Sequence, residues 1–454
     1  MVPRVVVSAF KGMSGKTIIS LALMYGLQKR GLRVAPFKVG PDYIDPTYHA
    51  AAAGRDSRNL DVVLMGERGV VERFIRYSAG ADIAVIEGVL GLYDSIDGVS
   101  ELGSTAQVAK LLKAPVVLVL NGERINRTLR AIVRGLKSFD PEVQIPAVVV
   151  TNVAERQAAK LVKSLPEEGV EVLGVVPKNS KIAEAFSYRH LGLTPVPERG
   201  DRPAIVDVVE RFVLPHIDLD RLVEIAKGAG DIAFESPQPP SRGEEGGCRI
   251  GVFFDRAFTF YYPEVFERAK SLGAVEFIDS LSHSTVGDVD VVFIGGGFPE
   301  VHAAALSKNK PLFADLRRYV ERGGGLYAEC GGLMYLTSSI VIEGEEYEMA
   351  DLIDAVTVML KRPVGKGYAW GKVVGRTPIA PIGAEIKGHE FHYSKLILRE
   401  KVEAAIRLDR GVGIGGGLDG IVKNNMHAQY MHIHPYTYDV LTALCRRRRT
   451  SLRE

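Results

Sequence analysis

The sequence predicts an α/β protein of two domains, each built on a mainly parallel sheet. Short continuous apolar runs, such as residues 3–9 and 290–294, alternate with longer helical patterns, as is typical of buried parallel strands. Several runs end in glycine-rich or acidic loops, the usual ligand-binding edge of such a sheet. A stretch rich in Pro, Gly, Ser and Glu at 235–247 separates two such series, and 454 residues are enough for two domains.

Composition and charge exclude several classes of protein. The chain is 46% hydrophobic and 25% charged, with a net charge of +2, so no strong field favours nucleic acid or a membrane surface. No apolar run is long enough to span a bilayer and no signal-peptide pattern follows Met1, so we expect a cytoplasmic protein. The cysteines, Cys248, Cys330 and Cys445, are widely spaced and odd in number, which disfavours a disulfide framework.

The first predicted strand, 3–9, leads into the loop FKGMSGKT at 10–17 and then into a helical pattern through Leu27. A strand, a glycine-rich loop, Lys-Thr and a helix form a phosphate-binding loop: backbone N–H groups surround phosphates, Lys16 reaches the terminal phosphates and Thr17 offers its hydroxyl to Mg²⁺. We therefore expect ATP and Mg²⁺ as cofactors. The candidate nucleotide-binding residues of this loop are Lys11, Gly12, Ser14, Gly15, Lys16 and Thr17.

Acidic residues follow the next two predicted strands of the first domain. The strand at 33–37 precedes GPDYIDPTYH, in which Asp42, Tyr43 and Asp45 are candidate substrate residues; a Pro-flanked turn is the alternative. The strand at 82–86 ends at Glu87, and Asp94 lies in the loop after it as a further substrate candidate. An acid at the end of a strand beside a phosphate loop is expected to approach Mg²⁺, so the predicted metal residues are Thr17, Asp45 and Glu87.

Later segments complete the predicted first domain. Strands at 115–120 and 146–150 follow, and Asn152 either contacts the adenine edge or is a turn residue. The segment Ser187–Leu193 either faces the substrate or is a basic surface loop, and residues 217–234 look helical. We divide the chain into a ligase domain at 1–234, a linker at 235–247, a second domain at 248–440 and a basic, solvated tail at 441–454.

The second domain has a candidate nucleophile. An apolar run ends at Cys330-Gly331-Gly332 and a helical pattern follows, which predicts a strand, a tight turn and a helix. A thiol at such a turn is exposed at the sheet edge, and a helix N-terminus favours the thiolate. The glycines after the 290–294 strand, with Gly297 among them, and the N–H of Gly331 are expected to hold an oxyanion. His432 is the expected base.

These motifs resemble known families. The Cys, the glycine-rich strand end and the late His resemble class I glutamine amidotransferases, and more narrowly the cobyrinic acid a,c-diamide synthase family. Lys11 in a loop without the usual leading glycine is similar to the deviant P-loop class that includes dethiobiotin synthetase. The resemblance implies a P-loop NTPase-type parallel sheet domain, dethiobiotin synthetase-like, followed by a class I glutamine amidotransferase-like α/β domain. The family's usual Glu two residues after the His is replaced by His434, which implies a Cys–His dyad and leaves open what orients His432.

The resemblance also implies a function. It is ATP- and glutamine-dependent amidation of the a and c acetates of a tetrapyrrole, cobyrinate or hydrogenobyrinate, through an acyl phosphate. Ni-sirohydrochlorin is the alternative substrate, and a regulatory ATPase of the deviant P-loop group is the runner-up. The expected partners are glutamine and the tetrapyrrole, with no nucleic acid or membrane, and a homodimer is left open.

Overall fold

The computed structural model describes residues 1–185, 204–232 and 247–451. The chain divides into two compact units, Met1–Gln238 and Pro239–Glu454. The predicted segment Ser187–Leu193 and all of the predicted linker except residue 247 lie outside the described residues. Within the described part of the chain, no helix combines the length and the apolar character needed to cross a membrane.

The first unit contains a parallel sheet whose strands are continuous apolar runs. These are β1 (Arg4–Ala9), β2 (Val34–Val39), β3 (Arg58–Leu60), β4 (Ile83–Glu87), β5 (Val116–Asn121), β6 (Ala147–Val153) and β7 (Glu171–Pro177), in the order β3-β2-β4-β1-β5-β6-β7. The helices are α1 (Lys16–Lys29), α2 (Asp45–Ala53), α3 (Val62–Ser78), α4 (Thr105–Leu111), α5 (Thr128–Phe139), α6 (Glu155–Ser164), α7 (Ser180–Ala185), α8 (Ala204–Phe212) and α9 (Leu219–Lys227).

The strand order of the first unit decides where its loops meet. β1 pairs in parallel with β4 and β5, and β2 pairs in parallel with β4, so the loops after β1, β2 and β4 leave the sheet at one edge. The loop after β1 ends at Gly15, and α1 begins at the next residue. The φ of Gly15 is 94°, a value that glycine adopts readily and that strains residues with a side chain. The phosphate loop and the acidic loops are therefore neighbours, as the sequence predicted.

The second unit combines a parallel core with an antiparallel extension. Its strands are β8 (Ile250–Phe253), β9 (Val275–Ile278), β10 (Val291–Ile294), β11 (Gly325–Glu329), β12 (Thr337–Ile342), β13 (Glu345–Glu348), β14 (Ile353–Met359), β15 (Gly365–Val373), β16 (Glu385–His392), β17 (Ser394–Leu398), β18 (Glu403–Arg410), β19 (Leu418–Lys423), β20 (Met426–Gln429) and β21 (His432–Ile433). One sheet has the order β21-β16-β15-β18-β19-β20-β11-β10-β8-β9 and another the order β13-β12-β14-β17. The helices are α10 (Pro263–Leu272), α11 (Ala303–Leu306), α12 (Lys310–Glu321), α13 (Gly331–Leu336) and α14 (Val440–Ser451).

The cysteine prediction was wrong for two of the three residues. Cys248, just before β8, and Cys445, in α14, form a disulfide, and Cys330 is free and buried. The two cysteines are 197 residues apart in the sequence, and at that separation the sequence alone does not predict whether two residues are close in space. The segment predicted as a solvated tail begins inside α14, where Leu444 is fully buried and Arg446 is exposed.

Candidate active sites

The phosphate loop folds around its own lysine. The hydroxyl of Ser14 donates to the carbonyl of Lys11 at 3.0 Å, and the ammonium of Lys16 donates to the carbonyls of Lys11, at 3.4 Å, and Leu90. Burial, reinforced by the charge of Lys38, lowers the pKa of Lys16 to about 8. The loop thus holds a buried cation at the start of α1, where phosphate oxygens are best bound.

The predicted metal residues meet directly behind this loop. The hydroxyl of Thr17 donates to Glu87 Oε1 at 2.6 Å and lies 3.5 Å from Asp45 Oδ2. Hydroxyl and carboxylate oxygens are the donors that Mg²⁺ prefers. The donor atoms of these residues therefore fit a magnesium ion. The described residues contain no cluster of three or more His, Cys, Asp or Glu side chains that could hold a metal by themselves.

A lysine that the sequence analysis did not single out lies at the centre of this site. Lys38, near the end of β2, places its ammonium 2.5 Å from Asp45, 2.9 Å from Glu87 and 3.8 Å from Asp42. Its side chain is 5% exposed. Burial opposes its charge, but the three carboxylates outweigh burial and raise the pKa of Lys38.

Glu87 is held from a second direction. Its Oε2 lies 2.6 Å from His49 Nε2, and His49 Nδ1 lies 3.2 Å from the hydroxyl of Ser57. Burial disfavours the charged carboxylate, but Lys38, His49 and Thr17 together lower the pKa of Glu87 below its usual range. Glu87 is therefore a fixed, ionised carboxylate.

Other predicted residues of the first unit have structural contacts as well. Asp42 Oδ1 accepts from the N–H groups of Ile44, at 2.8 Å, and Asp45, at 3.0 Å, and so shapes the start of α2. Asp94 accepts from the N–H of Gly91 at 2.7 Å in the loop above the phosphate site. Two further predicted residues complete the set: Tyr43 is 9% exposed, and Asn152 donates to Glu123 at 3.1 Å.

In the second unit, Cys330 lies at the turn between β11 and α13. Its φ of 48° and ψ of −101° are a strained combination for a residue with a side chain, and Gly331 opens the helix. A nucleophile on such a turn is aimed away from the sheet, at the N-terminus of the following helix. The predicted strand, turn and helix are all present.

His432 meets Cys330 and a carboxylate. It shares a hydrogen bond with Cys330, and its Nδ1 lies 3.4 Å from Glu329 Oε2. Burial by itself would lower the pKa of His432, but the charges of Cys330 and Glu329 outweigh burial and raise that pKa to about 10. The arrangement therefore favours the imidazolium form of His432, and an imidazolium beside a cysteine is the usual setting of a cysteine nucleophile.

The two predicted sources of oxyanion N–H groups are adjacent. A Cβ added to Gly331 would lie 3.0 Å from the backbone nitrogen of Gly297, and one added to Gly297 would lie 2.0 Å from the carbonyl of Ala257. This close backbone approach admits only glycine at position 297. One added to Gly296 would lie 2.5 Å from His432 Cε1, so the strand end, the nucleophile turn and the base converge.

Comparison with known proteins finds a family model that matches each unit. Residues 5–191 match the CobQ/CobB/MinD/ParA nucleotide binding domain, and residues 249–438 match the CobB/CobQ-like glutamine amidotransferase domain. The chain is 43% identical over 437 residues to the cobyrinate a,c-diamide synthase of Archaeoglobus fulgidus, which covers 95% of this chain and 94% of the relative. The chain is also 39% identical over 468 residues to the cobyrinate a,c-diamide synthase of Methanosarcina barkeri, a match that covers 96% of this chain and 94% of the relative. It is 39% identical over 440 residues to the synthase of the same name from Listeria monocytogenes strain EGD-e, a match that covers 95% of this chain and 96% of the relative.

This chain belongs to the cobyrinate a,c-diamide synthase family. It is therefore an enzyme, a glutamine-dependent amidating ligase with a nucleotide-binding domain and a glutaminase domain, and the resemblance read from its motifs is confirmed.

For this member of the cobyrinate a,c-diamide synthase family, sequence reasoning missed Lys38 and Glu329. Lys38 is a charged residue inside an otherwise apolar strand, which signals a buried partner. Glu329 is an acid closing an apolar strand, the same pattern that identified Glu87. His434, at the position of the usual acid, has its Nε2 4.0 Å from Glu264 Oε2 and its ring 4.3 Å from that of Tyr262.

Proposed function

We propose that the enzyme converts the a and c acetate groups of cobyrinate, or of hydrogenobyrinate, to amides, with ATP and glutamine as co-substrates. The observation that carries the proposal is that one chain has both a glycine-rich loop around the buried Lys16 and a Cys330–His432 pair. The names of relatives that match nearly the whole chain support the choice of substrate.

In the first unit, the proposed reaction activates a carboxylate. An oxygen of the substrate carboxylate attacks the γ-phosphorus of ATP. The bond between that phosphorus and the bridging β-phosphate oxygen breaks, so ADP departs and the substrate becomes an acyl phosphate. Ammonia then attacks the carbonyl carbon and phosphate leaves, which gives the amide. Lys16 binds and orients the terminal phosphates, and Lys38 offsets the repulsion between Asp45, Glu87 and an anionic substrate.

Magnesium is part of the same proposal. Thr17, Asp45 and Glu87 would hold the ion, and when bound it would neutralise charge on the phosphates. Asp45 and Asp42 position the reacting groups, with Tyr43 and Asp94 beside them, and the backbone of 11–15 holds the phosphates. Asn152 is assigned to the adenine edge.

In the second unit, the proposed reaction releases ammonia from glutamine. The thiolate of Cys330 attacks the amide carbon, the N–H groups of Gly331 and Gly297 hold the oxyanion, and His432 gives a proton to the departing ammonia. His432 then takes a proton from the water that hydrolyses the thioester, and glutamate leaves. Because ATP and glutamine are both cytosolic metabolites, we place the reaction in the cytoplasm.

The test is a product assay with competing substrates. Enzyme, MgATP and glutamine labelled with nitrogen-15 at the amide are incubated with cobyrinate, hydrogenobyrinate or Ni-sirohydrochlorin, and products are read by mass spectrometry. We expect two labelled amides on a cobyrinate-type substrate. Label only in Ni-sirohydrochlorin would reassign the substrate, and ATP hydrolysis with no amidation of any tetrapyrrole would favour the regulatory ATPase instead.

A further inference from the structure

Glu329 is the residue directly before the nucleophile, and its carboxylate is turned toward the base. Its side chain is 3% exposed, and Oε2 lies 3.4 Å from His432 Nδ1. The other oxygen, Oε1, accepts from the hydroxyl of Tyr327 at 2.7 Å and from the N–H of Ile433 at 2.9 Å. Two donors thus fix one oxygen and leave the second facing the imidazole.

A buried polar network holds Tyr327 in turn. Gln429 Nε2 donates to the Tyr327 hydroxyl at 3.0 Å and to the carbonyl of Met431 at 2.6 Å, and Gln429 Oε1 lies 2.8 Å from His427 Nε2. Burial lowers the pKa of His427 to about 4, so this imidazole is neutral and its Nε2–H donates to the amide oxygen. Tyr327, Gln429 and His427 are all uncharged, and Glu329 is the acidic member of the network.

A second histidine, His389, also faces His432 but carries no charge. The ring of His389 is stacked at 5.0 Å and 17° to that of His432. Burial, together with His432 and His434, holds the pKa of His389 well below its usual value, so the stacked ring is neutral. Among the described residues, Cys330 and Glu329 raise the pKa of the base, and His389 is stacked on its ring.

We propose that Glu329 is the positioning carboxylate of the glutaminase, so that the acid comes from the residue before the nucleophile. Its Oε2 faces Nδ1 of His432 at 3.4 Å, which leaves the other ring nitrogen for the thiol of Cys330, and its charge stabilises the imidazolium without taking its proton. The inference rests on Cys330 and His432 being the nucleophile and base of the proposed glutaminase.

The first test is kinetic. In Glu329→Gln, the amide oxygen can still accept from Tyr327 and Ile433, so the backbone anchor is kept while the charge is lost. We expect kcat for glutamine hydrolysis to fall at least about 10-fold. This is less than the ~10⁴-fold loss when a serine triad loses its acid, because a cysteine is intrinsically a stronger nucleophile than a serine. KM for glutamine and amidation with added ammonia should stay unchanged.

The matched control is Glu264→Gln, which neutralises another buried carboxylate next to a histidine of the same strand end. We expect it to keep the wild-type kcat. An unchanged kcat in Glu329→Gln, or an equal loss in both variants, would overturn the assignment. If Cys330→Ala also kept glutamine hydrolysis, the proposed function itself would fail, so the two failures are distinguishable.

The second test reads the histidine directly. In enzyme labelled with nitrogen-15 histidine, the His432 resonance is assigned by its loss in His432→Ala and titrated in wild type and in Glu329→Gln. We expect the pKa of His432 to fall by about 1 to 3 pH units when the carboxylate charge is removed. An unchanged titration would show that Glu329 only supports the backbone of Ile433.

Discussion

Replacing Lys38 by methionine leaves a chain of similar shape with no cation among three carboxylates. Glu87 and Asp45 would then lie side by side in a buried site, with Asp42 nearby. Removing one partner of a buried ion pair costs about 3 to 5 kcal/mol, because the remaining charge is left uncompensated. For a unit of this size that predicts a fall in Tm of about 6 to 20 °C for the first unit.

The effect should depend on pH, with a sign that follows from Glu87. Its folded-state pKa lies below the ordinary value, so its ionised form contributes stability above that value, and this contribution is lost as pH falls through the folded pKa. In Lys38→Met the contribution is missing at neutral pH. The difference in free energy of unfolding between wild type and variant should therefore be largest above about pH 4.5 and shrink as the pH falls below that value, where the carboxylates can take up protons.

Urea unfolding of the first unit, followed at several pH values without nucleotide, measures this difference. Lys110 provides the matched control because it also faces three carboxylates, Asp140 at 2.8 Å, Glu101 at 2.6 Å and Glu142 at 3.7 Å. Its side chain is 21% exposed, so Lys110→Met should cost only about 0 to 1 kcal/mol. Equal losses in the two variants, or a loss for Lys38→Met that is independent of pH, would refute the reasoning.

Three further predictions concern activity. Cys330→Ala and His432→Ala should abolish glutamine-dependent amidation and keep ammonia-dependent amidation, because they act only on ammonia release; both nitrogen sources are assayed in parallel. Lys16→Ala should block amidation from either source while glutamine hydrolysis persists, as measured by glutamate release. Asp45→Asn should slow amidation with little change in ATP affinity and let the mono-amide accumulate, since positioning of the second carboxylate is impaired; the ratio of mono- to diamide over time reports this.

Each of these predictions has a contradicting result. Loss of ammonia-dependent amidation in Cys330→Ala would make the cysteine structural. Normal ammonia-dependent synthesis in Lys16→Ala would remove the nucleotide from the proposed site. An unchanged product ratio in Asp45→Asn would leave that residue only as the start of α2.

Much of the fold could be predicted because parallel strands are buried on both faces and read as continuous apolar runs. The strands that carry the phosphate loop, Glu87 and Cys330 were all found in this way. The antiparallel strands from 365 to 423 were not predicted, because they are interrupted by glycines and alternate between buried and exposed residues. Their pairing depends on segments far apart in sequence.

The candidate sites were predictable where a motif fixes geometry locally and not where contacts are long-range. Cys330 and Gly331 lie on one turn, so their adjacent positions in the sequence were enough to predict that turn. His432 is held near Glu329 by the hydrogen bond from the N–H of Ile433 to that carboxylate, which spans 104 positions, and β21 pairs with the distant β16. Neither relation is visible in the spacing of residues, which is why the orientation of the base stayed open.

The covalent link between Cys248 and Cys445 closes most of the second unit into a ring of chain, since it joins a position two residues before its first strand to its last described helix. Cutting that ring once does not release a fragment. A cleavage at the exposed turn of Glu343 and Gly344, between β12 and β13, would leave both pieces attached through the sulfurs as well as through the sheet. A chain whose termini lay at that turn, with positions 248 and 445 joined by the disulfide, would therefore still be one covalent piece. That piece would contain both β11, which directly precedes Cys330, and β21, which begins with His432.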